Sequence, residues 1–312
     1  MQGSSVADVF LKAGWTVKGV TRNPDQPSSQ ALAARGVQIY QGDVNDTETI
    51  KLVIQGADVV FGNTVFSDAP LNPQSPDWNR LKPGQNVREM SYDLELQQGK
   101  NIVDAVATVG GLERFIWSSL SNATKWSKGE YKGVYHFDSK ANVVEYMMEN
   151  HPKLAEKTSI LQMGLFMTNW KWGKSAVPWE KVRDCLAFVI LVDLHWQQPN
   201  GSMILRIPGS GDVPIPLVLP KDTGNFVWSL IQLPAGTNML AFSARLPWAD
   251  YVKLWSKLTG IPATFEKTTV AEHAKLAPNG YGEEIGEMFA YAQDYGYDGS
   301  DPSVVFSADV SC

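Results

Sequence analysis

The feature that most limits the fold of this chain is an alternation of short apolar segments with amphipathic ones in its first half. The apolar segments are residues 16–21, 37–44, 57–66, 114–121 and 158–164, and segments with helical periodicity lie between them. Strands that alternate with helices are typical of a parallel sheet covered by helices on both faces. The pattern predicts an α/β fold with a doubly wound, Rossmann-type parallel sheet.

The predicted helices give the domain organisation. In the first half they are residues 5–13, 30–35, 46–54, 88–109 and 138–149, and a proline-containing loop covers 67–86. The second half is less regular, with a strand at 203–207 and helices at 222–232 and 247–259. We predict a dinucleotide-binding domain over 1–165 and a smaller α/β lobe over 166–312, with a loosely held tail after Asp298.

Charge and composition exclude several classes of protein. Lys and Arg number 27 against 33 Asp and Glu, a net charge of −6, and no basic run exists to bind nucleic acid or an anionic membrane. The two cysteines form no metal-binding pattern, and the longest apolar run, 185–192, is far shorter than the roughly 20 residues of a membrane span. We expect no metal, no nucleic acid and no membrane, and a soluble protein of the cytoplasm or nucleus.

The first residues of the chain precede a helix directly. A doubly wound fold normally opens with a strand and a glycine-rich turn that approaches the dinucleotide pyrophosphate. Gly3 fits the last glycine of such a turn, in which case Met1 and Gln2 also lie at the cofactor. The spacing fits equally well an ordinary N-terminal glycine.

Sequence motifs along nearly the whole chain resemble the NmrA-like family, an atypical branch of the short-chain dehydrogenase/reductase superfamily. They are MQGSSVA, VTRNP, VQIYQGDVND, NTVF, ELQQGKNIVDA, ERFIWSSLSN, HFDSK, GLFMTNW and PGSGDVPIPLV. Members usually open with a strand and GATGxQG, and this chain matches from the x onward. It therefore resembles a member that lacks the first strand and the first part of the glycine motif.

The resemblance implies a Rossmann domain that prefers NADP. Arg22 would bind the 2′-phosphate, or it is an ordinary surface residue. Asp43 would accept from the adenine amino group, or it caps a loop. The remaining residues that the resemblance places at the cofactor each have a plain alternative in packing or solvation; they are Thr64, Val65, Phe66, Lys100, Lys140, Phe166, Thr168 and Asn169.

The catalytic residues of the superfamily are only partly matched. Classical members place a tyrosine four residues before a lysine, on one helix face. Here His136 stands four residues before Lys140, and Tyr135 is turned by about 100° from that face. Lys140 would bind ribose, and His136 is either an acid–base group or a helix-start contact. The strand at 114–121 ends in three serines, at a place where the superfamily has a catalytic serine. The same residues also fit an ordinary turn; they are Ser118, Ser119 and Ser121.

Three functions remain open from the sequence. The favoured one is an NADP(H)-binding, redox-sensing regulator that acts through a protein partner such as a transcription factor. The alternative is an NADPH-dependent oxidoreductase of a small organic substrate. The third is a defective product of a mis-annotated gene, because the dinucleotide turn is missing and residues 182–197 interrupt the family pattern. Those residues resemble a retained short intron, unless they form a genuine extra strand or helix.

Overall fold

A parallel sheet surrounded by helices forms the framework of the molecule. The computed structural model describes residues 1–169 and 202–310, so the predicted insertion at 182–197 lies outside the described residues. The strands are β1 Lys18–Thr21, β2 Gln38–Gln41, β3 Val59–Gly62, β4 Arg114–Ser119, β5 Thr158–Met163, β6 Leu165–Phe166, β7 Met203–Pro208, β8 Ile215–Val218, β9 Asn238–Ala241, β10 Ala244–Leu246, β11 Ala263–Thr268 and β12 Val304–Phe306.

The helices cover the sheet and alternate with strands through the second half. They are α1 Gln2–Lys12, α2 Pro27–Ala33, α3 Thr47–Ile54, α4 Val87–Val106, α5 Ala123–Trp126, α6 Tyr135–Asn150, α7 Pro152–Ala155, α8 Thr223–Gln232, α9 Trp248–Thr259, α10 Val270–His273 and α11 Tyr281–Asp294. The α/β class and the parallel sheet predicted from the alternating pattern are confirmed.

The central sheet has the order β12-β9-β5-β4-β3, and every neighbouring pair is parallel. Strand β5 is almost wholly buried, as expected for a parallel strand with both faces covered. Strands β1 and β2 form a separate parallel pair, and no ladder within the described residues joins β1 to β3. Val20 in β1 is accordingly 41% exposed.

The second half of the chain contributes directly to the central sheet. Strands β9 and β12 extend it, while β10-β8-β6 and β11-β7 form two smaller sheets. The prediction of a loosely held tail after Asp298 was wrong in this respect, since Val304–Phe306 pairs with β9. The division into domains at residue 165 remains a prediction.

Close helix packing fixes α4 against α6 beneath the sheet edge. A Cβ at Gly99 would overlap the Val143 side chain, so the absence of a side chain lets the two helices approach. Asn86 caps α4 by accepting from the amides of Arg88 and Glu89, and Glu89 bonds back to the Asn86 amide. The capping contacts thus fix the first turn of α4, and the close approach at Gly99 fixes the middle of α4 against α6.

Helix α1 packs on α8 and on the neighbouring face of the central sheet. The Ser5 hydroxyl accepts from the Gly224 amide, and a Cβ at Gly224 would meet the Ser5 carbonyl oxygen. Phe10 lies in the same apolar cluster as Leu161 of β5. By contrast, a Cβ at Gly3 would meet no atom within 4 Å, so the close packing of α1 on α8 depends on Gly224 and not on Gly3.

Candidate functional site

The candidate site lies where the carboxyl ends of the central strands meet the start of α6. Ligands of such sheets bind at this edge. The segment after β3 carries Thr64 and Phe66, and the Phe66 ring lies 6.0 Å from the His136 imidazole, measured between ring centroids. The structure thus brings together two regions that the sequence predicted separately. Val65 points outward, with 77% of its surface exposed.

A buried carboxylate on α4 holds the amino group of Lys140. The Lys140 Nζ lies 2.6 Å from Oε1 of Glu95 and 3.2 Å from the carbonyl oxygen of His136, to both of which it donates. The other carboxylate oxygen of Glu95 accepts from the Ser139 hydroxyl. Glu95 is 1% exposed and the Lys140 side chain 13% exposed, so the pair is shielded from solvent screening.

A second buried carboxylate, from α11, holds His136. Oε1 of Glu284 accepts from the His136 backbone amide at 3.0 Å and lies 2.7 Å from its Nδ1. An ionised carboxylate only accepts hydrogen bonds, so this geometry suits an imidazole that carries a proton on Nδ1. Glu284 is fully buried, and its Oε2 has no hydrogen-bond partner in the described part of the chain.

Tyr135 contacts the first two turns of α4. Its ring lies 5.9 Å from the Tyr92 ring and 5.5 Å from the Arg88 guanidinium. Burial raises the pKa of Tyr135 above its usual value. His136, and not Tyr135, occupies the position four residues before Lys140 where classical members of the superfamily have their tyrosine.

The three serines around the end of β4 have different surroundings. The Ser121 hydroxyl donates to the Tyr297 carbonyl and accepts from the Tyr291 hydroxyl, so it ties the loop to the C-terminal segments. The Ser119 hydroxyl donates to the adjacent Leu120 carbonyl. The Ser118 hydroxyl donates to Oε1 of Gln2, which holds the start of α1 next to the strand end.

The N-terminus of α1 offers unpaired amide groups at this edge. Met1 is the N-cap residue and is 63% exposed, but no side chain caps the helix and no acidic residue lies in its first turn. Such a helix start attracts anions, because its amides and the helix dipole both present positive charge.

Two predicted cofactor residues lie after β1 and β2. Within residues 1–169 and 202–310, the Arg22 guanidinium makes no ion pair. Asp43 accepts from the backbone and side-chain nitrogens of Asn45, and this contact shapes the turn before α3. The contact with the adenine amino group stays a prediction for Asp43.

Some of the remaining residues predicted to contact the cofactor lie at the edge of the site, and others lie elsewhere. The Lys100 Nζ lies 5.0 Å from the centroid of the Tyr146 ring, near the second half of α6. Phe166 is half-buried on β6 and packs on the apolar cluster around α1, and the nearby Asn169 is also half-buried. The hydroxyl oxygens of Thr64 and Thr168 are buried and have no partner among the described residues.

The unsatisfied groups at this edge fit a phosphorylated, hydroxyl-rich ligand. The uncapped start of α1 and the Arg22 guanidinium suit phosphate groups, and the orphaned hydroxyls of Thr64 and Thr168 suit a polar ligand. No group of three or more acidic, histidine or cysteine side chains in the described residues is arranged to hold a metal ion. None of the described helices is both long and apolar enough to cross a membrane.

Sequence reasoning missed Glu95 and Glu284, which hold the two candidate catalytic side chains. Glu95 lies one turn before Gly99 in α4, and a glycine inside a helix is a signal of close packing that marks this face. No comparable signal exists for Glu284, which is 148 positions from His136 and lies in a helix that the pattern did not predict.

Curated relatives cover most of the chain at low identity. The NmrA-like family domain-containing oxidoreductase ptmS of Penicillium ochrochloron is 25% identical over 306 residues, which is 94% of this chain and 81% of the relative. The NmrA-like oxidoreductase himF of Aspergillus japonicus is 25% identical over 311 residues, covering 97% and 84% respectively.

Solved structures share the fold. The negative transcriptional regulator NmrA in complex with NAD has a TM-score of 0.66 and 17% identity, over 93% of this chain and 78% of that one. The Escherichia coli NADPH-dependent quinone oxidoreductase QOR2, complexed with NADPH, has a TM-score of 0.64 and 14% identity, over 96% and 87%. A sequence model of the NmrA-like family matches residues 1–310. The chain therefore belongs to the NmrA-like family.

Proposed function

We propose that this protein is an NAD(P)H-dependent oxidoreductase with its reaction centre at the start of α6. The observation that carries the proposal is that His136 and Lys140 lie one turn apart on α6 and are each held by a buried carboxylate. An imidazole and an ammonium group one helical turn apart, each oriented by a buried carboxylate, suit a site of proton transfer. The oxidoreductase names of the relatives and the dinucleotides bound by NmrA and QOR2 support this choice.

Different residues at the sheet edge would bind the cofactor and take part in catalysis. The start of α1 would hold the pyrophosphate, and Arg22 would pair with the 2′-phosphate of NADP. Lys140 would bind the ribose hydroxyls, and Thr64 and Phe66 would border the nicotinamide. The bound dinucleotide supplies the hydride. His136 would exchange a proton with the substrate oxygen, while Glu95 and Glu284 keep the two cationic groups in place.

Cofactor binding and turnover test the proposal separately. We expect wild-type protein to bind NADPH, measured by quenching of tryptophan fluorescence, and to oxidise it when offered carbonyl or quinone substrates. His136→Gln should lower turnover on the order of a hundredfold while binding persists, the usual size of a lost acid–base group. Arg22→Ala should weaken binding of NADPH more than binding of NADH.

The chain offers a matched control at the other end of α6. His151 also pairs with a carboxylate, its Nε2 lying 2.7 Å from Oδ1 of Asp104. His151→Gln should therefore leave turnover unchanged. Equal losses in the two histidine variants would contradict a reaction centre at the start of α6.

We propose a cofactor-sensing regulator as the second candidate function. The observation that favours it is the absence of the usual tyrosine at position 136, with Tyr135 turned towards Arg88 and Tyr92. Such a protein would bind NADPH and NADP without turnover and would bind a protein partner differently in the two states. Failure to bind either dinucleotide would favour the third possibility, a defective gene product.

A further inference from the structure

The carboxylate of Glu284 has an unusual combination of burial and partners. It is fully buried, both of its hydrogen bonds go to His136 through Oε1, and Oε2 has no partner among the described residues. Burial of a carboxylate is strongly unfavourable unless an opposite charge or several hydrogen bonds compensate. Among the described residues, both hydrogen bonds that offset this burial come from His136.

We propose that Glu284 is a positioning residue that fixes the tautomer of His136 and stabilises its imidazolium form. The inference rests on the proposed oxidoreductase function. With Nδ1–H held by Glu284, the opposite ring nitrogen, Nε2, is the atom left to exchange a proton. As a hydride reaches the substrate carbonyl carbon, the Nε2 proton moves to the carbonyl oxygen, which gives an alcohol, an oxidised dinucleotide and a neutral imidazole.

Other charged groups around His136 do not replace Glu284 in this role. Lys140 and Asp138 belong to the same helix, and Glu95 on α4 is already paired with Lys140. Asp138 accepts from the amide and hydroxyl of Thr124. On α11, the neighbouring Glu287 accepts from the Gly133 amide rather than from the imidazole.

Nitrogen-15 NMR of the imidazole tests the tautomer in the protein alone, above neutral pH. In wild-type protein, His136 should show the Nδ1–H pattern, assigned by its loss in His136→Gln. Glu284→Met removes the acceptor and should shift His136 towards the Nε2–H form. Glu284→Gln retains an acceptor oxygen and should keep the Nδ1–H form, as should the control Glu287→Gln. An unchanged Nδ1–H pattern in folded Glu284→Met would overturn the proposal.

A kinetic measurement tests the stabilisation of the imidazolium and does not depend on the methionine variant folding. Glu284→Gln should lower kcat on the order of tenfold or more, with little change in KM, because charge is lost while geometry is kept. Glu287→Gln should retain the wild-type kcat. A wild-type kcat in Glu284→Gln would overturn this role. If wild-type protein turns over no substrate, the proposed function fails, and the NMR experiment alone decides whether Glu284 positions His136.

Discussion

The Glu95–Lys140 pair gives the sharpest test of how the site is built. Glu95→Leu leaves the Lys140 ammonium without its partner in a site where that side chain is 13% exposed. Breaking a buried pair from one side costs about 3–5 kcal/mol, a large part of the roughly 5–15 kcal/mol that stabilises a domain. Lys140→Met should have a similar effect, because it leaves the Glu95 carboxylate buried with only the Ser139 hydroxyl.

The double variant separates the interaction energy between Glu95 and Lys140 from the interactions that each residue makes with its surroundings. In Glu95→Leu/Lys140→Met no charge is left unpaired, so its loss of stability should be smaller than the sum of the two single losses by about 2 kcal/mol or more. Urea unfolding of the four proteins gives this coupling energy. The exposed pair of Lys125 and Glu145, 3.3 Å apart, is the control and should show a coupling below about 1 kcal/mol. Equal coupling in both cycles would refute the reasoning.

Three further predictions concern packing, pH and capping. Gly99→Ala should destabilise the protein by about 1–3 kcal/mol in urea unfolding, because its methyl group overlaps Val143, and Val143→Ala in the same chain should recover part of the loss. Burial lowers the pKa of His273. The contribution of this residue to stability is therefore present above about pH 6.5 and is lost as the pH falls. His273→Gln should flatten the dependence of unfolding free energy on pH from 7 to 5. Asn86→Ala should cost about 1 kcal/mol and Asn86→Ser much less, whereas equal losses would contradict the capping role.

The parallel sheet was predictable because its strands are continuous apolar segments separated by helices. Strands β9 and β12 were not, since Asn238–Ala241 and Val304–Phe306 are short and gain their stability from the sheet that they join. The local sequence pattern carries no information about this pairing between strands that are distant in sequence. In the first half of the chain the main strands and helices therefore followed from the sequence, while the later members of the central sheet required tertiary contacts.

The same distinction applies to the candidate site. His136 and Lys140 were found because their spacing of four residues along one helix is visible in the sequence. Their partners were not, since Glu95 resembles any surface glutamate and Glu284 lies in a distant helix. Lys100 lies over the Tyr146 ring, which no motif specified.

The contact between α6 and α11 also bears on synthesis of the protein. During translation His136 is synthesised long before Glu284, because the two residues are 148 positions apart. Until α11 emerges and docks, the start of α6 lacks the acceptor that orients its imidazole. Chains released or clipped before residue 284 would retain His136 and Lys140 yet lack the carboxylate that holds the ring. Completion of the site thereby requires translation to continue past α11.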